Sequence, residues 1–284
     1  MSAQLIDGRK VASNIKENIK KEVSELKTKG VNPCLAVIFD DTDPTARKYV
    51  SLKEKACVEV GIDLRVHDIQ GTTTQDDLVK SIERFNADPE VNGILLQFPL
   101  NKGLDEKDAI KRIVPEKDID GCSSYSIGKL IHDEPSFIPC TPYGAIKMLE
   151  DYRINPAGKH TVVVERNNSG KSLAFLLLKK NATVTICSNK TTDLKGKCQK
   201  ADILCVDIGK AKMITADMVK EGAAVIDMGM NVTSNGKIIG DVDFDAVKEK
   251  AAYITPVPGG AGPTTIAMLM HNTVLAAKMQ AKIL

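Results

Sequence analysis

The 284-residue sequence contains no tryptophan, and aromatic residues of every kind make up only 4% of it. Nucleic-acid-binding surfaces stack bases on aromatic rings and gather basic side chains into stripes. Here 39 Lys and Arg are interleaved with 37 Asp and Glu for a net charge of +2, so nucleic acid is not an expected partner. Long apolar runs are also missing. No stretch approaches the length of a membrane span, and MSAQLIDGRKVASNIKEN lacks the apolar core of a signal peptide. No membrane partner is expected, and the compartment is read as cytoplasmic. Paired cysteines are missing too. Cys34, Cys57, Cys122, Cys140, Cys187, Cys198 and Cys205 are odd in number and scattered, with no C-x-x-C pair and no His-rich partner segment. Neither a zinc site nor a disulfide framework is expected, and no metal. Several of the seven lie in apolar stretches, where a thiol behaves as a small hydrophobe.

What is present describes a globular chain long enough for two domains, with 43% apolar and 27% charged residues. Val11, Ile15, Ile19, Val23 and Leu26 recur at helical spacing and predict a first amphipathic helix ending near Gly30. Strands are predicted at Cys34–Phe39, Leu64–Ile69 and Val91–Phe98, with helices over 43–62, 74–85 and 105–113 between and after them. Three prolines interrupt the periodicity between Leu130 and Pro142, and a second alternating series follows. It has strands at 161–164, 182–187, 203–206 and 223–228 and helices over 143–149, 170–180 and 263–279. Such alternation predicts an α/β protein of two three-layer domains around a cleft, the second Rossmann-like with a mostly parallel sheet. The expected division is 1–138 and 139–269, with the C-terminal helix 270–284 packing back on the first domain.

Four stretches carry residue types suited to chemistry. Tyr49 and Lys53 are one helical turn apart, so ring and amine project from one face while Val50, Ala56, Cys57 and Val60 face a core. Alone, that pattern also fits a half-buried Tyr beside a snorkelling Lys. Gln97 ends the apolar run Gly93–Leu96, the place where an open sheet delivers a side chain to its ligand, although a strand-ending amide in solvent looks the same. Lys117-Asp118-Ile119-Asp120-Gly121 sets an acidic pair in a turn, and Asp-Gly is ordinary turn chemistry. Thr255-Pro-Val-Pro-Gly-Gly-Ala-Gly-Pro-Thr-Thr265 is a Gly-rich loop before a helix, with Pro263 predicted at the first helical position. Glu165-Arg-Asn-Asn-Ser-Gly-Lys-Ser172 differs from a phosphate-cradling loop at its first position, where Glu replaces the Gly that permits the sharp turn. That argues against a nucleoside triphosphatase. A cis peptide is predicted at Phe98–Pro99 or Val257–Pro258.

Taken together, DPTARKYVSLKEKACVEVGI, GILLQFPL, PEKDIDG, PCTPYGAIKML, NATVTICSNKT, ADMVKEGAAVIDMGMN, GDVDF and ITPVPGGAGPTTIAML occur in order along essentially the whole chain. In these segments the sequence resembles the methylenetetrahydrofolate dehydrogenase/methenyltetrahydrofolate cyclohydrolase family. The resemblance implies a folate-facing N-terminal domain, a Rossmann-type C-terminal domain, a homodimer, and NADP as cofactor, with NAD the alternative. It implies that Lys53 is the catalytic lysine, Gln97 its partner, and Asp120 the carboxylate that grips the pterin. Tyr49 would stack on the folate, with Pro258, Gly259 and Thr265 also at the substrate. Glu165, Arg166, Asn167, Lys190, Thr191 and Met230 fall where the cofactor binds.

The implied chemistry suits those types. Hydride leaves the methylene bridge for a nicotinamide, and water then adds to the methenyl carbon and opens the ring to the 10-formyl product. A lysine shielded in a cleft beside a cationic substrate has its charged form disfavoured and can relay protons near neutral pH. An amide hydrogen-bonds the amine in either protonation state, and a carboxylate accepts paired N–H groups from a pterin edge. The departures gather at the cofactor. Glu165-Arg166-Asn167 stands where the family has Gly-Arg-Ser, in a loop one residue shorter. Arg166 and Lys190 favour a 2′-phosphate, hence NADP. A cyclohydrolase without dehydrogenase activity, and a folate-binding protein without turnover, remain the alternatives.

Overall fold

The apolar runs become two parallel sheets in the computed structural model, which describes residues 2–42, 44–165 and 167–283, without the side chains of residues 44 and 45. In chain order the elements are β1 (Gln4–Leu5), α1 (Gly8–Thr28), β2 (Cys34–Asp40), α2 (Pro44–Val60), β3 (Asp63–Ile69), α3 (Gln75–Ala87) and β4 (Gly93–Gln97). Then come α4 (Glu106–Arg112), α5 (Ser124–Ile131), α6 (Cys140–Asp151), β5 (His160–Val164), α7 (Asn168–Lys179), β6 (Thr183–Cys187), α8 (Leu194–Cys198) and β7 (Ile203–Val206). The chain closes with β8 (Ala224–Asp227), β9 (Asn231–Val232), β10 (Ile238–Ile239), α9 (Phe244–Val247), β11 (Tyr253–Ile254) and α10 (Ala261–Gln280). Contacts divide these into two units. One holds the residues up to Ser13 and Cys140–Thr265, the other Asn14–Pro139 and the chain from Ile266 onward.

The unit containing Asn14–Pro139 is built on the parallel sheet β3-β2-β4. Every residue of β2 is buried, because helices cover both faces of a central parallel strand and no polar alternation survives. One face packs Ala36, Ile38, Ile94 and Leu96 against Leu78, Ile82 and Phe85 of α3. That helix starts on a reciprocal cap, the Thr74 side chain accepting from the Asp77 backbone N–H while the Asp77 carboxylate accepts from that of Thr74. Register pairs Phe39 of β2 with Gln97, the last residue of β4, so both strands finish at the same sheet edge.

In the other unit the described residues form a six-stranded parallel sheet, β1-β11-β8-β7-β5-β6. Its core is formed by Val162, Val164, Leu204, Val206, Val225 and Ile254 with side chains from the covering segments. From β5 the chain passes through α7 to β6 on one side and then crosses back to β7 on the other. The strand order therefore reverses between β5 and β7, where an open α/β sheet takes its ligand.

Some local readings differ from expectation. α10 begins at Ala261, so Pro263 is its third residue rather than its first. Pro is tolerated there because the first N–H groups of a helix have no intrahelical acceptor. The eight-residue helix α5 and the two-residue strands β1 and β11 are additions to the expected elements. Both Phe98–Pro99 and Val257–Pro258 are cis.

Candidate active site

Helix α2 begins at Pro44 and buries Val50, Ala56, Cys57 and Val60, which fixes its rotation. Tyr49 and Lys53 then stand on a common edge, with the Lys53 Nζ 5.9 Å from the centre of the Tyr49 ring. Burial of the half-exposed ring holds the Tyr49 phenol above its ordinary pKa. The partner comes from the sheet. Lys53 Nζ donates to Oε1 of Gln97, and Nε2 of Gln97 donates to the carbonyl of Phe98 at 2.7 Å. The second bond decides which way the amide faces, because only the –NH2 group can give a hydrogen to a carbonyl. Three residues from two separate sequence signals are thus brought together on one unit.

Asp120 belongs to the same unit and is half-buried. It follows the short 3-10 turn Pro115–Lys117 and has the Cys122 thiol 3.3 Å from its Oδ2. Lys117 anchors the approach to it. This lysine is only 7% exposed and donates to the carbonyls of Phe85, Asn86 and Asp88 at 2.8, 2.9 and 2.6 Å, capping the C-terminal end of α3. In the sequence Lys117 shows only as part of an acidic turn.

The cofactor candidates lie in the other unit. Glu165 follows β5, and Asn167 caps α7, its Oδ1 accepting from Gly170 N at 3.0 Å. The backbone N–H of Asn167 donates to Oε1 of Glu165 at 2.8 Å. A Cβ on Gly170 would lie 2.5 Å from the carbonyl oxygen of Glu165, so only glycine permits this strand-to-helix approach. Arg166 lies outside the described residues. After β6, Thr191 Oγ1 accepts from Ser188 N at 2.8 Å, the backbone of exposed Lys190 donates to Ser188 Oγ at 3.2 Å, and Met230 is 42% exposed. Pro258, Gly259 and Thr265 also belong to this unit and not to that of Lys53. Gly259 has φ +118, and Thr265 Oγ1 donates to the carbonyl of Ala261 at 3.0 Å.

A cluster of acids marks the strand-order reversal. Register sets Val164 beside Val206, and Asp207 N donates to Val164 O at 3.3 Å, which seats Asp207 next to the start of the Glu165 loop. Burial first, then the charges of Glu165, Asp241 and Asp227, push the Asp207 carboxyl up to about 7. Behind it, Asp241 is fully buried and accepts from Ile208 N at 2.5 Å, Gly209 N at 2.9 Å and Lys210 N at 2.8 Å. Asp227 in turn accepts from Gly229 N, Asp241 N and Val242 N. The network itself escapes sequence reasoning; its traces are the segments ADMVKEGAAVIDMGMN, which holds Asp227, and GDVDF, which holds Asp241.

A nicotinamide dinucleotide suits this end of the sheet, since α7 turns its N-terminus toward the ends of β5 and β7 with a glycine at the closest approach. Among the described residues, no group of three or more His, Cys, Asp or Glu is arranged to hold a metal ion, and no helix is long and apolar enough to cross a membrane.

Comparison with known proteins then decides the lineage. Residues 6–120 match the model of the tetrahydrofolate dehydrogenase/cyclohydrolase catalytic domain, and residues 139–281 that of its NAD(P)-binding domain. The chain belongs to the tetrahydrofolate dehydrogenase/cyclohydrolase family. Among curated members it is 52% identical to the bifunctional protein FolD of Thermodesulfovibrio yellowstonii over 284 residues, 100% of this chain and 99% of the relative. To the FolD protein of Moorella thermoacetica it is 49% identical over 98% of this chain and 100% of the relative. The crystal structure of FolD from Campylobacter jejuni superposes with a TM-score of 0.95 at 41% identity, over 98% of this chain and 99% of that one. A Trypanosoma brucei family member crystallised with NADP and an inhibitor gives a TM-score of 0.95 at 32% identity, over 99% of both chains.

Proposed function

We propose that this family member oxidises 5,10-methylenetetrahydrofolate to the methenyl form and hydrolyses that to 10-formyltetrahydrofolate, with Lys53 as the group that handles the proton released in the hydrolysis. Family membership over both domains supports the two activities. The observation that carries the role of Lys53 is its hydrogen bond to Gln97 beside the Tyr49 ring.

Gln97 has its amide nitrogen committed to Phe98, so it offers the lysine an acceptor. An amine held this way has a defined direction for the rest of its tetrahedron and can take a proton from water attacking the methenyl carbon. Tyr49 supplies an aromatic face suited to stacking on a flat pterin. Asp120 supplies a carboxylate whose two oxygens match the paired N–H groups of the pterin edge. A bound nicotinamide accepts the hydride in the first step. Glu165, Asn167, Lys190, Thr191 and Met230 border the sheet end where it would be held; Arg166, outside the described residues, is assigned to the same group from the sequence alone.

NADP is our assignment over NAD, supported by the exposed Lys190 in the loop after β6, where a 2′-phosphate would lie. A homodimer in the cytoplasm is part of the same proposal. One observation favours the cyclohydrolase alone, namely the carboxylate of Glu165 directly after β5, beside which a pyrophosphate would be repelled. Paired assays on the purified protein separate the two readings. Reduction of NADP with methylenetetrahydrofolate, faster than that of NAD, supports the bifunctional reading. Loss of methenyltetrahydrofolate with neither nucleotide reduced leaves the cyclohydrolase alone.

A further inference from the structure

Asp118 is 2% exposed, and its carboxylate is committed entirely to the turn that carries Asp120. Its Oδ1 accepts from Cys122 N at 3.2 Å, and its Oδ2 accepts from Ser123 N at 3.0 Å and from Ser126 Oγ at 2.6 Å. Its carbonyl accepts from Gly121 N at 2.9 Å. Gly121 has φ +66 and lies so close to the segment behind it that a Cβ there would fall 2.7 Å from Phe137 O. On the other side, Ile119 is fully buried against Gly93 of β4, where an added Cβ would meet its side chain at 2.6 Å. Its carbonyl accepts from Asn272 Nδ2 at 2.8 Å, and the same nitrogen donates to Ile138 O at 2.9 Å. The backbone on both sides of Asp120 is thus immobilised, while the Asp120 side chain remains half-buried with the Cys122 thiol at its Oδ2.

We propose that Asp118 is a positioning residue for substrate recognition: it fixes the 118–126 turn so that Asp120 presents its carboxylate in one orientation to the pterin edge. The inference rests on the assignment of Asp120 to the pterin. A carboxylate accepting two N–H groups in parallel loses one of them when rotated by a few tens of degrees, so its backbone mount bears directly on affinity. Asp118 also sits before the first turn of α5, where a negative charge is favoured, and a purely structural role would be to hold that helix in place. The two roles predict different kinetics.

Asp118→Asn replaces one acceptor oxygen with a donor facing donors, and Ser126→Ala removes the shortest of the three bonds while leaving the fold less disturbed. KM for 5,10-methenyltetrahydrofolate in the cyclohydrolase assay is expected to rise about tenfold in Asp118→Asn and about threefold in Ser126→Ala, with kcat within about twofold of the parent. NADP affinity, measured by titration without folate, should stay within about twofold. In an Asp120→Ala background, Asp118→Asn should raise KM no further, because the group it positions is gone. Ser126→Ala decides the matter if Asp118→Asn does not fold. A raised KM in Asp120→Ala with normal KM in Ser126→Ala and Asp118→Asn, or losses that add in the double variant, overturns the positioning role alone. A normal KM in Asp120→Ala removes the assignment of Asp120, and the inference with it.

Discussion

Lys53 donates a hydrogen bond to Oε1 of Gln97, and the other end of that amide is held by the carbonyl of Phe98. A helix and a strand of the same unit thereby fix one amine in space, and the orientation of the amide makes it an acceptor toward the lysine.

Replacing that acceptor with a charge tests the pairing. In Gln97→Glu a carboxylate would face the amine and favour its charged form. The rise of cyclohydrolase kcat with pH is expected to move to higher pH by at least about one unit, and kcat at pH 7 to fall about tenfold or more. Gln97→Leu, with neither charge nor acceptor, should lower kcat without the same displacement. A pH–rate profile of the two variants reads the difference.

The helix and strand origins of this pair are legible in the sequence because each rests on a local rule. Period 3.6 places Tyr49 and Lys53 on one edge, and the end of an apolar run places Gln97 at a sheet edge. What stays hidden depends on contacts distant in sequence. β1 and β11 are two residues long and pair Gln4 with Tyr253, so neither carries a periodicity to read. Lys117 looks like one more surface lysine until α3 supplies its three carbonyls. Asp227 and Asp241 act on backbone N–H groups from other loops, and only the fold brings those together. Helix α5 is missed because eight residues give too short a run for a helical period to stand out, although Ser123 caps the helix by accepting from Ser126 N.

Lys117→Met should separate stability from activity. The variant leaves the carbonyls of Phe85, Asn86 and Asp88 without their buried donor, at a cost of about 2 kcal/mol. Urea denaturation should show a lower midpoint with unchanged slope, while kcat at about 25 °C stays near that of the parent.

The acids at the strand-order reversal make stability depend on pH. The carboxyls of Asp207 and Asp227 are raised to about 7, in each case chiefly by burial, with the neighbouring charges Glu165 and Asp241 adding for Asp207 and Asp241 for Asp227. A raised carboxyl binds its proton more tightly folded than unfolded, so its stabilising contribution is present in full below about pH 4 and is lost as pH rises through about 7. Asp207→Asn removes one such group. Its unfolding free energy relative to the parent should therefore climb between about pH 4 and about pH 7 in denaturant titrations and level off above that. A difference that stays flat across that interval contradicts the raised carboxyl.

Lys53→Met tests the central claim most directly, by following the loss of methenyltetrahydrofolate without nucleotide while folate binding is measured in parallel. The account predicts that cyclohydrolase turnover disappears while the folate still binds, because Tyr49 and Asp120 remain in place. Turnover at the parent rate would contradict the role given to Lys53 and leave the Gln97 contact a structural one.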